Sequence, residues 1–392
     1  MLKASGLTRT AFAALATALP MLALVAAPLQ AQPGSKPFAV EVVAAFDEPW
    51  AVAEMPDGRL LVTETKGNLF VVTPAGAKSR AVAGVPDVDY GGQGGLGDVI
   101  LHPDFADNGV IYLSYAEAGV GATRGAAVAR AVLDVSTDRP ALSDLEVIWR
   151  QYPKQLGFGH YGHRMLFDDD GHLWITSGDR QKFTPAQDMQ ANLGKMVRLN
   201  DDGSVPGDNP FVDYYSDDAF VDDIGVYPEV WSLGHRNPYG LALDLDGRLW
   251  EIEMGPKGGD ELNLIQRGAN YGYPVVSNGE HYDGRPIPNH DTRPEFQAPA
   301  LWWTPVISPG DLMVYKGDQF AAWRGNALAA GLSSRAIVRI QLNDDGTAEE
   351  VERYDMGERI RSLEEAADGS IWVLEDERSG SGGRLLRLTP SR

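Results

Sequence analysis

The sequence predicts an all-β protein, a six-bladed β-propeller, and three observations support that fold. The first is a phrase that recurs along the chain: an Asp-Gly or Asn-Gly turn, then an apolar run that suits a strand and ends in an acidic or small residue. Its clear copies, followed by one degenerate copy, are Asp57–Glu64, Asn108–Ser114, Asp170–Ile175, Asp246–Glu251, Asp368–Glu375 and Gly325–Ala330.

The second observation is the chemistry of these turns. Asp-Gly and Asn-Gly accept a positive φ at both central positions of a tight turn, so each copy is typical of a β-hairpin. The third is an apolar strand with one charge after most hairpins, as in Met196–Leu199 and Ile337–Ile340. Six such units indicate six blades, and we expect functional loops at one end of the central channel.

The N-terminus has the pattern of a secretory leader. Lys3 and Arg9 are the only charges before residue 32, an apolar stretch runs from Ala11 to Ala27, and Leu29–Ala31 resembles a small-residue cleavage site. We therefore expect a periplasmic or secreted protein. The predicted domains are a leader at residues 1–31 and a single propeller at residues 32–392.

Composition excludes several function classes. The 392-residue chain has no cysteine, which excludes thiol catalysis and Cys-ligated zinc. Its formal net charge of −21 argues against nucleic acid and anionic membranes as partners, since both attract basic surfaces. After the leader, no stretch is apolar enough to predict a membrane span. Residues 203–229 and 274–305 interrupt the repeat, and we expect both to be long loops between blades.

Two segments carry residues suited to chemistry at a strand entrance. Arg236 and Asn237 precede the fourth hairpin in a turn that contains Pro and Gly; an Arg that closes a loop on backbone carbonyls is an equally good interpretation. His160 and His163 precede the third hairpin, and residues three apart on an extended segment point to opposite faces. One general base is thus favoured over a pair of metal ligands. Asp179 could orient that base, or only end a strand.

Two further segments favour the binding of charged groups. Arg359 and Arg361 are two residues apart, so an extended chain places both guanidinium groups on one face, which suits a carboxylate-rich or phosphorylated ligand. Acidic residues lie nearby in sequence, and pairing with them would make these arginines a surface feature. Met254–Glu261 combines exposed backbone carbonyls with Asp and Glu, a set that suits calcium better than zinc.

Taken together, these segments resemble the soluble sugar dehydrogenases that depend on pyrroloquinoline quinone (PQQ), especially the periplasmic aldose sugar dehydrogenases. The resemblance runs from about Pro49 to Pro390, and its motifs occur in the family's order. They are Gly92–Leu96, Leu101–Phe105, the His160 segment, Gly178-Asp179, Gly194–Arg198, Asp208–Phe211, His235–Pro238, Gly255-Pro256, Gly259–Glu261, Asn270–Pro274 and Arg359–Arg361.

The resemblance implies roles for the residues around the reacting atoms. His160 stands where the family has its catalytic base, and Asp179 matches the aspartate beside that base. Gln93 matches a glutamine on the substrate side. Arg236 and Asn237 match residues that touch the quinone, with the arginine near its reactive carbonyl.

The resemblance also implies how a cofactor would be held. Arg359 and Arg361 match the clamp for the carboxylates of PQQ, and Trp303 is the candidate for an aromatic wall near it. The family has a further basic residue near Ser333, where this chain offers only Arg335.

Two calcium sites follow from the same resemblance. The main-chain carbonyls of Gly255 and Pro256 match ligands of the calcium ion that accompanies PQQ. Glu261 and the carbonyl of Tyr271 match a second, structural calcium site.

The chain departs from the family at His163, where Gly is usual, and at Met254, where His is usual. The implied reaction is oxidation of the C1 hydroxyl of an aldose to a lactone, with electrons passed to an external acceptor. Two other classes stay open: a metal-dependent propeller hydrolase such as a lactonase, and a binding propeller without catalysis.

Overall fold

The computed structural model describes residues 36–214, 226–377 and 382–391, and it confirms the predicted six-bladed, all-β propeller. The predicted leader lies outside these described residues. Twenty-four strands form six antiparallel sheets, and the first strand of each blade lines the channel. Among the described residues, no helix is both long and apolar enough to span a membrane.

The blades follow one another along the chain, with four strands in most blades and three in the first. Blade 1 contains β2 (Pro49–Glu54), β3 (Leu60–Glu64) and β4 (Asn68–Val72). Blade 2 contains β5 (Leu96–Leu101), β6 (Val110–Ala118), β7 (Thr123–Asp134) and β8 (Ala141–Arg150), with the short β9 (Gln155–Leu156) paired to β7. Blade 3 contains β10 (Gly162–Phe167), β11 (Leu173–Ser177), β12 (Lys195–Leu199) and β13 (Val230–Leu233).

The remaining blades repeat this order. Blade 4 contains β14 (Pro238–Leu243), β15 (Leu249–Glu253), β16 (Asp260–Leu264) and β17 (Leu301–Trp303). Blade 5 contains β18 (Pro309–Val314), β19 (Ala327–Gly331), β20 (Ala336–Leu342) and β21 (Ala348–Asp355). Blade 6 contains β22 (Ile360–Glu365), β23 (Ile371–Glu375) and β24 (Arg384–Pro390), and its fourth strand is β1 (Phe38–Ala45). The short helices are α1 (Phe105–Asn108) and the 3-10 turns Thr184–Ala186, Val212–Tyr214, His290–Thr292 and Ala321–Trp323.

The ring is closed by its two ends. Strand β1 runs antiparallel to β24, with Phe38 opposite Pro390 and Ala45 opposite Arg384. The N-terminal strand therefore completes the last blade as its outermost strand, whereas the first blade has three strands. Pairing of the chain ends links the first blade to the last, which also contact each other directly through β2 and β22.

The hairpins form as predicted, but their turns are not the predicted type. In blade 1 the N–H of Gly58 donates to the carbonyl of Met55, and the N–H of Met55 donates to the carbonyl of Arg59. This is a three-residue loop, in which only the glycine needs a positive φ; Gly58 has φ 83° and Asp57 is not among the positive-φ residues. Instead Asp57 accepts the N–H of Arg59.

Blades 3, 4 and 6 use the same turn, whereas blades 2 and 5 do not. In blade 2, α1 comes before Gly109, and in blade 5 the 3-10 turn Ala321–Trp323 comes before Gly325. The Asp-Gly and Asn-Gly signal therefore located the hairpins correctly, although it could not show the length of the connection.

The two long segments lie inside blades rather than between them. In the sequence, residues 203–229 fall between β12 and β13, and residues 274–300 fall between β16 and β17, with β17 itself at the end of the second segment. In both cases they join the third strand of a blade to its fourth. The sequence phrase marks only the first hairpin of each blade, so the position of the fourth strand was not visible from it.

A buried arginine fills the middle of the channel. Arg164, on β10, pairs with Asp98 of β5 at 3.0 Å and with Asp311 of β18 at 3.2 Å. It also donates to the carbonyls of Tyr239 on β14 and Gly310 on β18, so one guanidinium group from β10 bonds to three of the other five innermost strands. This network separates the two ends of the channel.

Behind Arg164, toward the hairpin turns, lies an acidic cavity of about 630 Å³. Its wall includes Glu364, whose nearest hydrogen-bond donor is the N–H of Glu54 at 3.5 Å. Burial, helped by the charges of Asp311 and Glu54, raises the pKa of Glu364 to about 8. The glutamate is therefore protonated in the folded protein at neutral pH.

This raised pKa makes a prediction about stability. Between its ordinary pKa of 4.5 and about 8, Glu364 holds a proton only in the folded chain, so its contribution to stability is lost as the pH rises through 8. Glu364→Gln, which stays neutral, should therefore raise the melting temperature at pH 9 relative to the wild type and change it little at pH 5. The measurement is a pair of thermal melts at each pH.

The matched control is Glu349→Gln on the exposed face of β21, which should give the same difference at both pH values. An equal effect of Glu364→Gln at pH 5 and pH 9 would contradict the proposed protonation.

Candidate active site

Most of the predicted site residues gather at the end of the channel opposite the hairpin turns. In an antiparallel blade, the start of the first strand and the end of the second strand meet at one edge. His160 precedes β10 and Asp179 follows β11; Arg236 and Asn237 precede β14. The strand order of the blades therefore brings together residues that lie far apart in the sequence.

A buried His-Asp pair stands at the centre of this end. His160 Nδ1 and Asp179 Oδ1 are 2.6 Å apart, and their side chains are 6% and 0% exposed. The backbone N–H of His160 donates to Gln93 Oε1 at 2.6 Å. His160 has φ 52°, a conformation that only a well-packed surrounding maintains for a residue of this kind. A Cβ at Gly178 would lie 2.3 Å from the His160 carbonyl oxygen, so the close approach requires that glycine.

The surroundings keep His160 neutral and Asp179 charged. Burial lowers the pKa of His160, and the hydrogen bond to Asp179 opposes that shift only in part. Burial alone would raise the pKa of Asp179, but the hydrogen bond with His160 holds it below its ordinary value. With Nδ1–H donated to the carboxylate, Nε2 is the ring atom that can accept a proton.

His163 lacks the two features that suit His160 to act as a base: among the described residues neither of its ring nitrogens has a hydrogen-bond partner, and it does not line the cavity of His160. It is 1% exposed, its ring stacks on Tyr161 with centroids 5.2 Å apart, and burial lowers its pKa to about 3. The side chain packs between Trp50 and Tyr161. In this chain it fills space beside the channel, where the resembling family has glycine.

Arg236 lies in the same cavity as His160. This cavity has a volume of about 250 Å³, and its wall also includes Pro256, Phe183 and Tyr273. The guanidinium of Arg236 donates through Nη1 to the carbonyls of Met254 at 2.9 Å and Gly255 at 2.7 Å.

A carboxylate fixes the backbone of this segment. Glu253 Oε2 accepts the N–H groups of Arg236 at 2.5 Å and Asn237 at 3.0 Å. Arg236 at the start of blade 4 and His160 at the start of blade 3 thus line the same cavity.

The two clamp arginines meet at a neighbouring small cavity. Arg359 Nε lies 2.8 Å and Arg361 Nη2 lies 3.3 Å from Asp376 Oδ2. Both line a cavity of about 60 Å³ together with Gln93 and Met254. Gln93 thus connects this cavity to the backbone of the His-Asp pair, and two guanidinium groups share one carboxylate there.

The residues proposed for the first calcium site supply suitable donors. Gly255 and Pro256 lie in a tight loop; a Cβ at Gly255 would be 2.1 Å from the Gly259 carbonyl oxygen and 2.4 Å from that of Gly258. The loop thus concentrates hard backbone oxygens, which suit calcium. Because Arg236 already donates to the Gly255 carbonyl, a calcium ion there would compete with that guanidinium.

The second proposed calcium pair lies on either side of a histidine. His290 Nε2 is 3.0 Å from the Tyr271 carbonyl, and His290 Nδ1 is 4.0 Å from Glu261 Oε1. Both proposed ligands are buried, and burial together with the charge of Glu253 raises the pKa of Glu261 well above its ordinary value. The donors are of the right kind, and His290 occupies part of the space between them.

Two predicted cofactor residues lie elsewhere. Trp303 is on β17, the outer strand of blade 4, where it packs in the core between blades 4 and 5 and donates to Glu350 at 2.7 Å. It is a core residue and does not form an aromatic wall. Arg335 is exposed, donates to the Gly357 carbonyl at 3.3 Å, and does not line the cavity of Arg359 and Arg361.

Sequence reasoning missed three residues that hold the site together: Glu253, Asp376 and His290. The first two lie at the end of a second strand, as Asp179 does. The acidic ends of the repeated sequence in these blades are Glu251 and Glu375, so the repeat indicated the correct strand ends but not these two residues. His290 lies in a long loop without any repeat, and nothing in the sequence marked it.

Comparison with known proteins places this geometry in a family. The model of the Glucose / Sorbosone dehydrogenase family matches residues 46–387. The chain belongs to the Glucose / Sorbosone dehydrogenase family. It is 37% identical over 352 residues to aldose sugar dehydrogenase YliI of Escherichia coli strain K12, a match that covers 88% of this chain and 91% of that protein.

Two further relatives of the glucose/sorbosone dehydrogenase family extend the match. Quinoprotein glucose dehydrogenase B of Acinetobacter calcoaceticus is 26% identical over 420 residues, covering 86% of this chain and 84% of that protein. The PQQ-bound form of an aldose sugar dehydrogenase from Streptomyces coelicolor superimposes with a TM-score of 0.73 at 27% identity, covering 92% of this chain and 100% of that structure.

The His-Asp pair makes a prediction that needs no substrate. Because Asp179 raises the pKa of His160 against burial, Asp179→Asn should lower that pKa further and leave His163 unchanged. The measurement is a pH titration of the histidine ring signals by NMR in protein labelled at histidine.

Asp170→Asn, at the exposed hairpin turn of the same blade, is the matched control and should shift neither ring. Two results would contradict the assignment: a wild-type His160 that titrates above pH 6.5, or a His160 whose titration is the same in Asp179→Asn as in the wild type.

Proposed function

We propose that this protein oxidises the C1 hydroxyl of aldose sugars to lactones, using PQQ and calcium and passing the electrons to an external acceptor. The observation that carries the proposal is that a neutral, aspartate-bound His160 and the cation Arg236 line one cavity. A base and a cation on one cavity are what removal of a proton and stabilisation of a developing negative charge require.

The relatives support the chemical class of substrate and cofactor. YliI is named an aldose sugar dehydrogenase, the Acinetobacter protein is named a quinoprotein, and the Streptomyces structure holds PQQ. These activities and the bound cofactor belong to those relatives. The motifs that resemble the family, and the cavities that those motifs line in this chain, make the same chemistry the best-supported proposal here.

His160 would act as the general base. Its Nε2 would accept the proton of the C1 hydroxyl, while Asp179 holds Nδ1–H and stabilises the imidazolium that forms. General base catalysis of this kind contributes typically ~10²–10⁴-fold to the rate. The hydroxyl proton thus goes to His160, and the C1 hydrogen leaves with its electron pair, so that a lactone remains.

When bound, PQQ would supply the quinone that accepts this hydride, and calcium would supply Lewis acidity next to it. Arg236 would place positive charge near the quinone, with Asn237 beside it. Gln93, which already accepts the N–H of His160, would fix the base relative to the sugar.

Arg359 and Arg361 would hold the carboxylates of PQQ. Both guanidinium groups lie against Asp376, and Glu48 lines the same cavity, so a bound carboxylate would replace an acidic side chain at these donors. Hydrogen bonds to charged groups contribute roughly 1.5–3 kcal/mol each. In a chain with formal net charge −21, two adjacent guanidinium groups are the kind of donor that binding of a tricarboxylate requires.

The proposed cellular location of the protein follows from its N-terminal sequence rather than from the active-site residues. A leader over residues 1–31 would send the protein to the periplasm or outside the cell, where a sugar and an electron acceptor would be its partners. The calcium ions would bind at the carbonyls of Gly255 and Pro256 and at Glu261 with the Tyr271 carbonyl.

Reconstitution tests the proposal. Protein treated with EDTA and dialysed should reduce an artificial electron-acceptor dye with glucose only after both PQQ and Ca²⁺ are added, because the oxygen donors at Gly255 and Pro256 favour calcium. Zn²⁺ should not replace Ca²⁺. A panel of aldoses would then define the preferred sugar, and an absence of dye reduction across the panel would contradict the proposed activity.

A PQQ titration of variants is the control for the cofactor site. Arg359→Ala and Arg361→Ala should each weaken PQQ binding by roughly tenfold to a hundredfold. Arg335→Ala should have little effect, since Arg335 lies outside the cavity. Unchanged affinity in both clamp variants would favour the hydrolase or the binding propeller.

A further inference from the structure

A second cluster of potential ligands lies beneath the loop that carries Arg236. It consists of His235, just before β14, and of Glu251 and Glu253 on β15. A ring nitrogen of His235 and one carboxylate oxygen from each glutamate lie within 4.8 Å of one another. All three residues are buried, with exposed fractions of 0%, 0% and 2%.

The protein leaves key atoms of this cluster without partners. His235 Nδ1 lies 3.5 Å from Glu253 Oε1 and 3.9 Å from Glu251 Oε2, and among the described residues it has no hydrogen-bond partner. Glu251 Oε1 has none either; Asn263 donates to Glu251 Oε2 at 3.0 Å and to Glu253 Oε1 at 3.5 Å. Buried polar atoms without a partner are costly, so they are rare unless something else occupies the site.

The other ring nitrogen of His235 is already engaged. Nε2 lies 2.8 Å from Ser232 Oγ, and the ring stacks on Tyr271 with centroids 4.7 Å apart. A histidine that binds a metal commonly donates its second N–H to such a partner, which fixes the ring and leaves the first nitrogen as a ligand. With Nε2–H on Ser232, the lone pair of Nδ1 points at two carboxylates, an arrangement that a cation between them would stabilise.

We propose that His235 Nδ1 and the carboxylates of Glu251 and Glu253 bind one divalent transition-metal ion such as Zn²⁺ or Mn²⁺. One imidazole nitrogen with two carboxylates is a donor set for these ions. Calcium prefers oxygen ligands alone. The site is therefore chemically distinct from the calcium pair of Glu261 and the Tyr271 carbonyl, and it shares no ligand with it.

The ion would act on the active site through Glu253. One oxygen of this carboxylate faces His235, whereas the other accepts the N–H groups of Arg236 and Asn237. Holding Glu253 in place therefore holds the loop that presents Arg236 to the cavity. This makes Glu253 a positioning residue, and the inference does not depend on which reaction the cavity carries out.

The alternative to a metal is protonation. Burial and the neighbouring charge of Glu253 raise the pKa of Glu251 well above its ordinary value, so an empty site would hold a proton instead of an ion. The two states differ in metal content, which makes them separable by direct measurement.

The test is the metal content of the purified protein by mass spectrometry, from cells supplied with zinc and manganese. Because the ligands are buried, brief EDTA treatment should leave the ion in place, and removal should need a chelator with mild denaturant. We expect about one equivalent of Zn²⁺ plus Mn²⁺ per chain. After stripping and refolding, Zn²⁺ or Mn²⁺ should rebind and raise the melting temperature, whereas Ca²⁺ should do so less.

Two variants and a control make the result decisive. Glu251→Gln keeps the volume and should weaken binding of Zn²⁺ by at least about tenfold. His235→Gln should do the same if the first variant folds poorly. Glu261→Gln should retain the transition metal. A wild-type protein that neither contains nor rebinds Zn²⁺ or Mn²⁺, or a Glu251→Gln protein that binds as well as the wild type, overturns the proposal.

Discussion

The propeller depends on one buried guanidinium group at the centre of its channel. Arg164 comes from blade 3, pairs with Asp98 of blade 2 and Asp311 of blade 5, and donates to a carbonyl of blade 4. It also lies 4.4 Å from the ring of Trp50 in blade 1. Breaking such a buried pair typically costs about 3–5 kcal/mol, because the partner carboxylates would lose their counter-charge. The Arg164 network therefore supports the loops at the site end of the channel from below.

The same position in three blades supplies the acids that organise the site. Asp179, Glu253 and Asp376 lie at or just after the end of the second strand in blades 3, 4 and 6. Each one engages a group that begins the first strand of a blade: an imidazole, a pair of backbone N–H groups, and a pair of arginines. An acidic residue at the end of the second strand thus has a different electrostatic role in each of these three blades, because the group beside it differs.

The sequence predicted the fold because each blade carries a hairpin signal that depends on local backbone conformation. It also located His160, Asp179, Arg236 and the arginine pair, since their family motifs are contiguous. Trp303 was misplaced because an aromatic residue near a loop gives no signal of strand order. The cluster of His235, Glu251 and Glu253 was not predicted, since it forms only when β14 pairs with β15.

The central claim is that His160 removes the proton of the sugar. The most direct test is reduction of bound PQQ by glucose in a single turnover, followed by absorbance, in His160→Ala and in the matched variant His163→Gly. The account predicts that His160→Ala binds PQQ but reduces it at least about a hundredfold more slowly, while His163→Gly stays close to the wild type. Loss of reduction in His163→Gly with a normal rate in His160→Ala would contradict it.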